Sequence, residues 1–274
     1  MNKDLTLREL QQVELEILKC FHNFCEENKL TYYLAGGTLL GAIRHKGFIP
    51  WDDDIDVIMP RPDYDRFKEI LSGHRIHDNY IIDLMTRPST FFRICDERTE
   101  IILSDFIVPY KTGVWIDVFA LDGLESNKMK RKKHFLKMRI LTIILIFCST
   151  KLGVKRGSKI SHYLQYLILP LLPVIKLVGY QRWYNIYDNV ARKNDFNKCD
   201  YIGAFEGIAG EKETLNKKNM EPRILVDFEG EKFYAMSNYD EYLTNLYGDY
   251  MTPPPESSRF PKHEFSAFWK DRLE

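Results

Sequence analysis

Four aspartates fall within five positions, at Asp52, Asp53, Asp54 and Asp56, and a diglycine at Gly36-Gly37 and a basic triplet at Arg44-His45-Lys46 precede them. Carboxylates at that density repel one another, and a bound divalent cation is the usual way such a cluster is stabilised. In Asp54-Ile55-Asp56-Val57-Ile58 two acids alternate with apolar residues. A strand has a period of two, so Asp54 and Asp56 are expected on one face, where they can share a cation and leave positions for phosphate oxygens and water. A second ion needs a third carboxylate from a neighbouring strand, and Asp117 in VWIDVFA is the candidate. An acid at the centre of an apolar run is costly to bury alone; the other reading of Asp117 is a core carboxylate bonded to an arginine. Asp52 and Asp53 are further candidate metal ligands, or turn formers ahead of the strand.

Gly36-Gly37-Thr38 lies between an expected strand and an expected helix. Backbone N–H groups at a helix start can face an anion, and missing side chains let it approach closely. A diglycine turn is by itself weak evidence; beside the Asp-Ile-Asp strand it supplies the phosphate cradle that phosphoryl and nucleotidyl transfer need next to a metal pair. Arg44, His45 and Lys46 are candidates for neutralising a diphosphate or a leaving nucleotide, Arg44 foremost. Their alternative role is to balance the nearby aspartates. Trp51, after Pro50, is expected to pack the loop in place.

The elements that must position these residues are legible in outline. Thr6 and Glu9 form a capping box, and Leu10, Val13, Ile17, Leu18, Phe21, Phe24 and Cys25 recur at helical spacing, which predicts a scaffold helix over 6–28. Strands are predicted over 31–35 and 54–59, with a turn at Gly36-Gly37 and a short helix over 38–44 between them. Asp63 is expected to cap the following helix, with Tyr64, Phe67, Ile70 and Leu71 on its inner face. Further strands are predicted over 80–85, 91–95, 114–120, 202–205 and 232–236, and a helix over 240–247 that stops at Gly248. The Pro253-Pro254-Pro255 run forces an extended segment.

A chain of 274 residues with 45% apolar content can bury a sizeable core, which argues against disorder. The net charge is zero, yet Ser126 to Tyr187 contains no acid and carries +13, leaving −13 for the remainder. Within it the apolar blocks 140–148 and 163–178 are too short or too broken by proline to span a bilayer. They resemble interfacial helices that bind anionic lipid through burial and charge together, or an ordinary helical subdomain with a solvated basic face. The five cysteines form no CxxC pair, as expected of reduced thiols in a cytosolic protein. The charged N-terminal residues do not read as a signal peptide. The domain reading is therefore a catalytic core over 1–125, a basic helical insertion over 126–187, and a C-terminal part over 188–274 that completes the core and the site.

The stretch AGGTLLGAIRHKGFIPWDDDIDV resembles the signature of the LicD family, which includes the fukutin-related proteins, and YLTNLYGDYMTPPP resembles its closing motif. The likeness covers about residues 30–122 and 225–263. It implies an α+β, nucleotidyltransferase-like mixed sheet flanked by helices, in which Gly36-Gly37, Asp54-Ile55-Asp56 and Asp117 fill the family's pattern. It also implies transfer of a phosphorylated alcohol, phosphocholine or a polyol phosphate, from a CDP-linked donor such as CDP-choline to a hydroxyl of a glycan or lipid-linked saccharide. CMP leaves in that reaction. Acceptors of that class belong to lipopolysaccharide, teichoic acid or capsule. Two Mg2+ or Mn2+ ions at Asp54, Asp56 and Asp117 would polarise the diphosphate, with Asp117 also a candidate proton acceptor. Tyr247, Asp249 and His263 are candidates for closing over the donor, with packing as the other role of Tyr247 and His263. The expected setting is cytoplasmic, peripheral at the inner face of the membrane, with no nucleic-acid partner. Two other readings stay open: transfer of the nucleotide itself, and a cation-dependent adaptor without catalysis.

Overall fold

Helix α1 (Leu7–Glu27) begins where the capping box requires: the Thr6 hydroxyl accepts from the Glu9 N–H, and the Glu9 carboxylate accepts from the Thr6 N–H at 2.7 Å. Its stripe of Leu10, Val13, Ile17, Leu18, Phe21 and Cys25 is buried against the sheet. The computed structural model describes residues 4–71, 75–83, 90–103, 110–149, 169–205, 210–261 and 266–270. Strand β1 (Tyr33–Leu34) follows and leads straight into α2 (Gly36–His45). The diglycine is thus the first turn of a helix, where the sequence suggests a separate turn. Gly36 enters at φ +50°, a conformation glycine adopts without the strain a Cβ imposes.

Strand β2 (Asp56–Pro60) runs into α3 (Arg61–Ile70) without a loop. Asp63 therefore sits in the first turn of α3, not at its cap, and its charge complements the helix dipole there. Tyr64, Phe67 and Leu71 face inward as expected, whereas Ile70 is exposed. Strands β3 (Arg75–His77), β4 (Tyr80–Asp83), β5 (Phe92–Leu103) and β6 (Tyr110–Leu124) complete the main sheet in the order β1-β2-β6-β5-β4-β3. The β2–β6 pairing is parallel and the others along this path are antiparallel, a mixed α+β sheet flanked by helices. Strands β5 and β6 run well beyond the expected 91–95 and 114–120. Their ends alternate less cleanly, and cross-strand pairing extends them.

Helix α4 (Lys128–Ser149) packs against α5 (Leu172–Val178), whose Ile175 carbonyl accepts the Trp183 indole N–H at 3.0 Å, and shares with α6 (Tyr180–Ala191) a small core of Phe135, Met138, Leu141, Leu145, Tyr187 and Ala191. A bidentate pair anchors this region, with Arg61 Nε on Asp122 Oδ1 at 2.7 Å, while Arg192 reaches Asp65 at 2.7 Å. Short strands β7 (Tyr201–Gly203) and β8 (Leu215–Asn216) extend β6. Strands β9 (Ile224–Phe228) and β10 (Glu231–Ala235) form a separate hairpin whose loop residues, Glu229 and Gly230, both have positive φ, the geometry of a primed turn. Helix α7 (Tyr239–Tyr247) and strand β11 (Ala267–Trp269) on β5 follow.

Candidate active site

Asp56 opens β2 and is the register partner of Asp117 on parallel β6. Paired residues of neighbouring strands share a face, so the two carboxylates emerge side by side. The Asp56 backbone is pinned from the β1–α2 junction: its carbonyl accepts the Ala35 N–H at 3.0 Å, and its N–H donates to the Thr38 hydroxyl at 2.8 Å. Thr38, a candidate phosphate contact in the sequence, thus uses its hydroxyl to hold Asp56. Strand pairing starts at Asp56, so Asp54 precedes the regular strand, although burial still alternates, with Ile55 and Val57 fully buried and Asp54 and Asp56 half-buried.

The acids of the loop and of the two strands come in two sets. Among the described residues, Asp52, Asp53 and Asp54 form the group of three whose carboxylate oxygens lie within 4.8 Å of one another, and Asp52 and Asp53 are buried. Asp56 and Asp117 stand beside them as a strand-to-strand pair. The glycines explain how so much charge fits. A Cβ on Gly37 would lie 2.7 Å from Asp52 Oδ2, and one on Gly36 would lie 3.1 Å from Asp56 Oδ2. Two carboxylates therefore sit directly against the N-terminal turn of α2, whose partial positive charge favours them. In this structure the close approach the diglycine permits is made by the chain's own acids.

Asp117 is also bonded to Arg93, Nε to Oδ1 at 2.6 Å, and both side chains are largely buried. The arginine partner foreseen as an alternative is thus present, and it occupies one carboxylate oxygen while Asp117 remains Asp56's neighbour. The Arg93 guanidinium lies 3.7 Å from the centre of the Trp115 ring, and its buried Nη1 has no hydrogen-bond partner among the described residues.

Helix α7 closes the site from the other side. The Tyr242 hydroxyl accepts the Gly36 N–H at 3.2 Å, and burial pushes the Glu213 carboxyl up to about 7, with Tyr242 pulling the other way. Tyr247 is 44% exposed as a residue, yet its hydroxyl is 3.8 Å from where a Gly36 Cβ would be. Burial, and then the charges of Asp56, Glu213, Asp52 and Asp54, push that hydroxyl well above the usual tyrosine range. Arg44 donates to the Tyr250 carbonyl at 2.6 Å, and burial, with Arg259 nearby, lowers its pKa. His45 packs edge-on to Trp51, which Arg259 covers from 5.3 Å. Lys46 follows at the end of α2. It is the exposed left-handed cap of α2, and its carbonyl accepts the Glu229 N–H at 2.9 Å. Asp249 accepts from the Thr252 hydroxyl at 2.7 Å. His263 lies outside the described residues.

Sequence reasoning missed Glu14, Gln11, Arg93, Tyr242, Glu213 and Arg259. Gln11 and Glu14 carried a signal, since both are polar positions within the inward stripe of α1, and both are buried. Gln11 donates to the Asp52 carbonyl at 2.9 Å. Burial pushes the Glu14 carboxyl well above the usual carboxylate range, and the charges of Asp54, Asp53, Asp52 and Asp117 add to it. Arg93 and Arg259 have no local signal, because their partners lie far away in sequence.

A mixed sheet carrying acids on adjacent parallel strands, with a glycine-opened helix against them, defines a nucleotidyltransferase-like site. The family described as LicD/FKTN/FKRP, nucleotidyltransferase domain, matches residues 29–139. The lipopolysaccharide cholinephosphotransferase LicD of Haemophilus influenzae is 34% identical over 97% of this chain and 99% of its own length. An uncharacterized protein of Rickettsia typhi is 36% identical over 88 residues, 30% of this chain and 25% of its own. The chain belongs to the LicD family, a family of transferases.

Proposed function

We propose that this protein transfers phosphocholine from CDP-choline to a hydroxyl of a cell-surface glycan or its lipid-linked precursor, releasing CMP. The observation that carries the chemistry is the Asp56–Asp117 register pair beside the start of α2, with Asp52, Asp53 and Asp54 gathered next to it. The near full-length likeness to a lipopolysaccharide cholinephosphotransferase supports the choice of phosphocholine and of a saccharide acceptor. The donor set is all carboxylate oxygen, which suits a hard cation such as Mg2+ or Mn2+. We assign Asp54, Asp56 and Asp117 as the principal ligands of a two-ion site, with Asp52 and Asp53 contributing. When bound there, the cations would polarise the donor diphosphate and lower the pKa of the acceptor hydroxyl.

The chain's own groups supply the rest. Arg93 offsets the charge of Asp117, and Thr38 fixes the backbone of Asp56. Arg44 and Arg259 supply positive charge on the α2 side for the donor's phosphates, and Tyr247 brings a hydroxyl to the rim of the acids. The test is product analysis with CDP-choline and a saccharide acceptor. CMP together with a phosphocholine-bearing glycan is expected, whereas pyrophosphate would indicate nucleotide transfer, and no metal-dependent product would leave the adaptor reading.

Gly37→Ala separates catalysis from stability. Alanine favours a helix over glycine by about 1 kcal/mol, while its Cβ would displace the Asp52 carboxylate. Melting temperature should hold or rise as turnover falls, and unchanged turnover would show that Asp52's position is immaterial.

We further propose that α4, α5 and α6, the described helices of the basic stretch 126–187, rest on the inner face of the membrane, bringing the cytoplasmic site to a lipid-linked acceptor. Among the described residues no helix is long and apolar enough to cross a membrane. The support is an exposed mixture of Met129, Leu136, Ile140, Val174 and Leu177, the last 85% exposed, among lysines and arginines with no acid in the segment. Such surfaces bind anionic lipid. The protein should sediment with phosphatidylglycerol vesicles at low salt and be released at high salt; no sedimentation at low salt would remove this claim.

A further inference from the structure

Glu14 is an acid in the core of α1, 2% exposed and surrounded by the buried Leu10, Val13, Leu15, Ile17 and Leu18. Its Oε2 is fully buried and has no hydrogen-bond partner among the described residues. The charges that act on it most strongly are all carboxylates, those of Asp54, Asp53, Asp52 and Asp117. Buried acids are ordinarily paired, hydrogen-bonded or bound to a metal, and the first two leave Oε2 unaccounted for. One helical turn before it, Gln11 grips the Asp52 carbonyl, so this face of α1 is docked onto the acidic loop.

We infer that Glu14 anchors the cation site from beneath, adding a carboxylate from α1 to those of Asp52, Asp53 and Asp54. Three of the four come from one loop that precedes β2, and Glu14 belongs to a long helix buried in the core. A cation held by both therefore fastens the loop to the scaffold and fixes where Asp54 and Asp56 enter the strand. The role of α1 is then more than packing. This inference rests on the metal part of the proposed function.

The experiment is Mn2+ titration of the full chain, wild type and Glu14→Gln, read from the signal of free Mn2+ by electron paramagnetic resonance, with melting temperatures measured with and without the ion. Glu14→Gln keeps size and shape, so its metal-free melting temperature should match or exceed the wild type's. Its Mn2+ affinity should fall by about 10–100-fold, as for other residues that orient a metal site, and the metal-induced rise in melting temperature should largely disappear. Wild-type affinity in Glu14→Gln would overturn the role of Glu14 while leaving the metal reading intact. A wild-type protein that takes up no Mn2+ would overturn both. If Glu14→Gln fails to fold without metal, Glu14→Asp, which keeps the carboxylate but draws it back by one methylene, should show the weakened affinity, and unchanged affinity there would overturn the inference.

Discussion

Asp56→Asn should lower CMP release from CDP-choline by about 10²–10³-fold, the loss typical when one preorganised electrostatic group is removed from a transfer site. The amide preserves shape and the backbone bonds to Ala35 and Thr38, so the substitution acts on charge alone. Asp56 faces Asp117 across β2–β6 and lies against the start of α2. Removing one of two adjacent like charges relieves repulsion, so the metal-free melting temperature should stay level or rise while activity collapses. Turnover measured beside a thermal melt separates the two effects. A variant that turns over like the wild type would show that the Asp56–Asp117 pair does no chemistry.

Arg93→Met should have the largest effect on stability. Arg93 and Asp117 form a mostly buried pair, their side chains 10% and 12% exposed, and breaking such a pair by removing one partner costs about 3–5 kcal/mol because it strands the other charge. The guanidinium also leaves the face of Trp115, 3.7 Å away. The acids nearby make the stranding worse, since Asp56 is the register partner of Asp117 on its other side. Urea denaturation should show the drop, and Arg93→Met combined with Asp117→Asn should recover much of it. If the single variant is as stable as the wild type, Arg93 is not what balances Asp117.

The parts of this arrangement that were legible in the sequence share a cause: their signals are local. The Thr6–Glu9 box fixes the start of α1, and the lone acid in VWIDVFA marks Asp117 because strand burial makes an isolated charge conspicuous. The diglycine was visible, but its secondary structure depends on Asp52 and Asp56 folding against it from 15 or more residues away. Lys46 reads like a phosphate contact beside Arg44; that it also caps α2 in the left-handed conformation and binds the β9–β10 hairpin through its carbonyl depends on Glu229, far away in sequence. Arg93, Glu213 and Arg259 meet the site only through tertiary contacts, which no spacing rule encodes. Glu14 lay between the two cases. A polar residue in an apolar helical stripe was readable as an anomaly, but not which acids it would face.

The most direct test of the account is where a cation binds with donor present. Crystals grown with Mn2+ and CDP-choline, measured at the manganese absorption edge, should show anomalous density bounded by Asp56 and Asp117, with the donor diphosphate between these carboxylates and Arg44 and Arg259. Density confined to the protein surface, or a diphosphate seated away from these carboxylates, would contradict it.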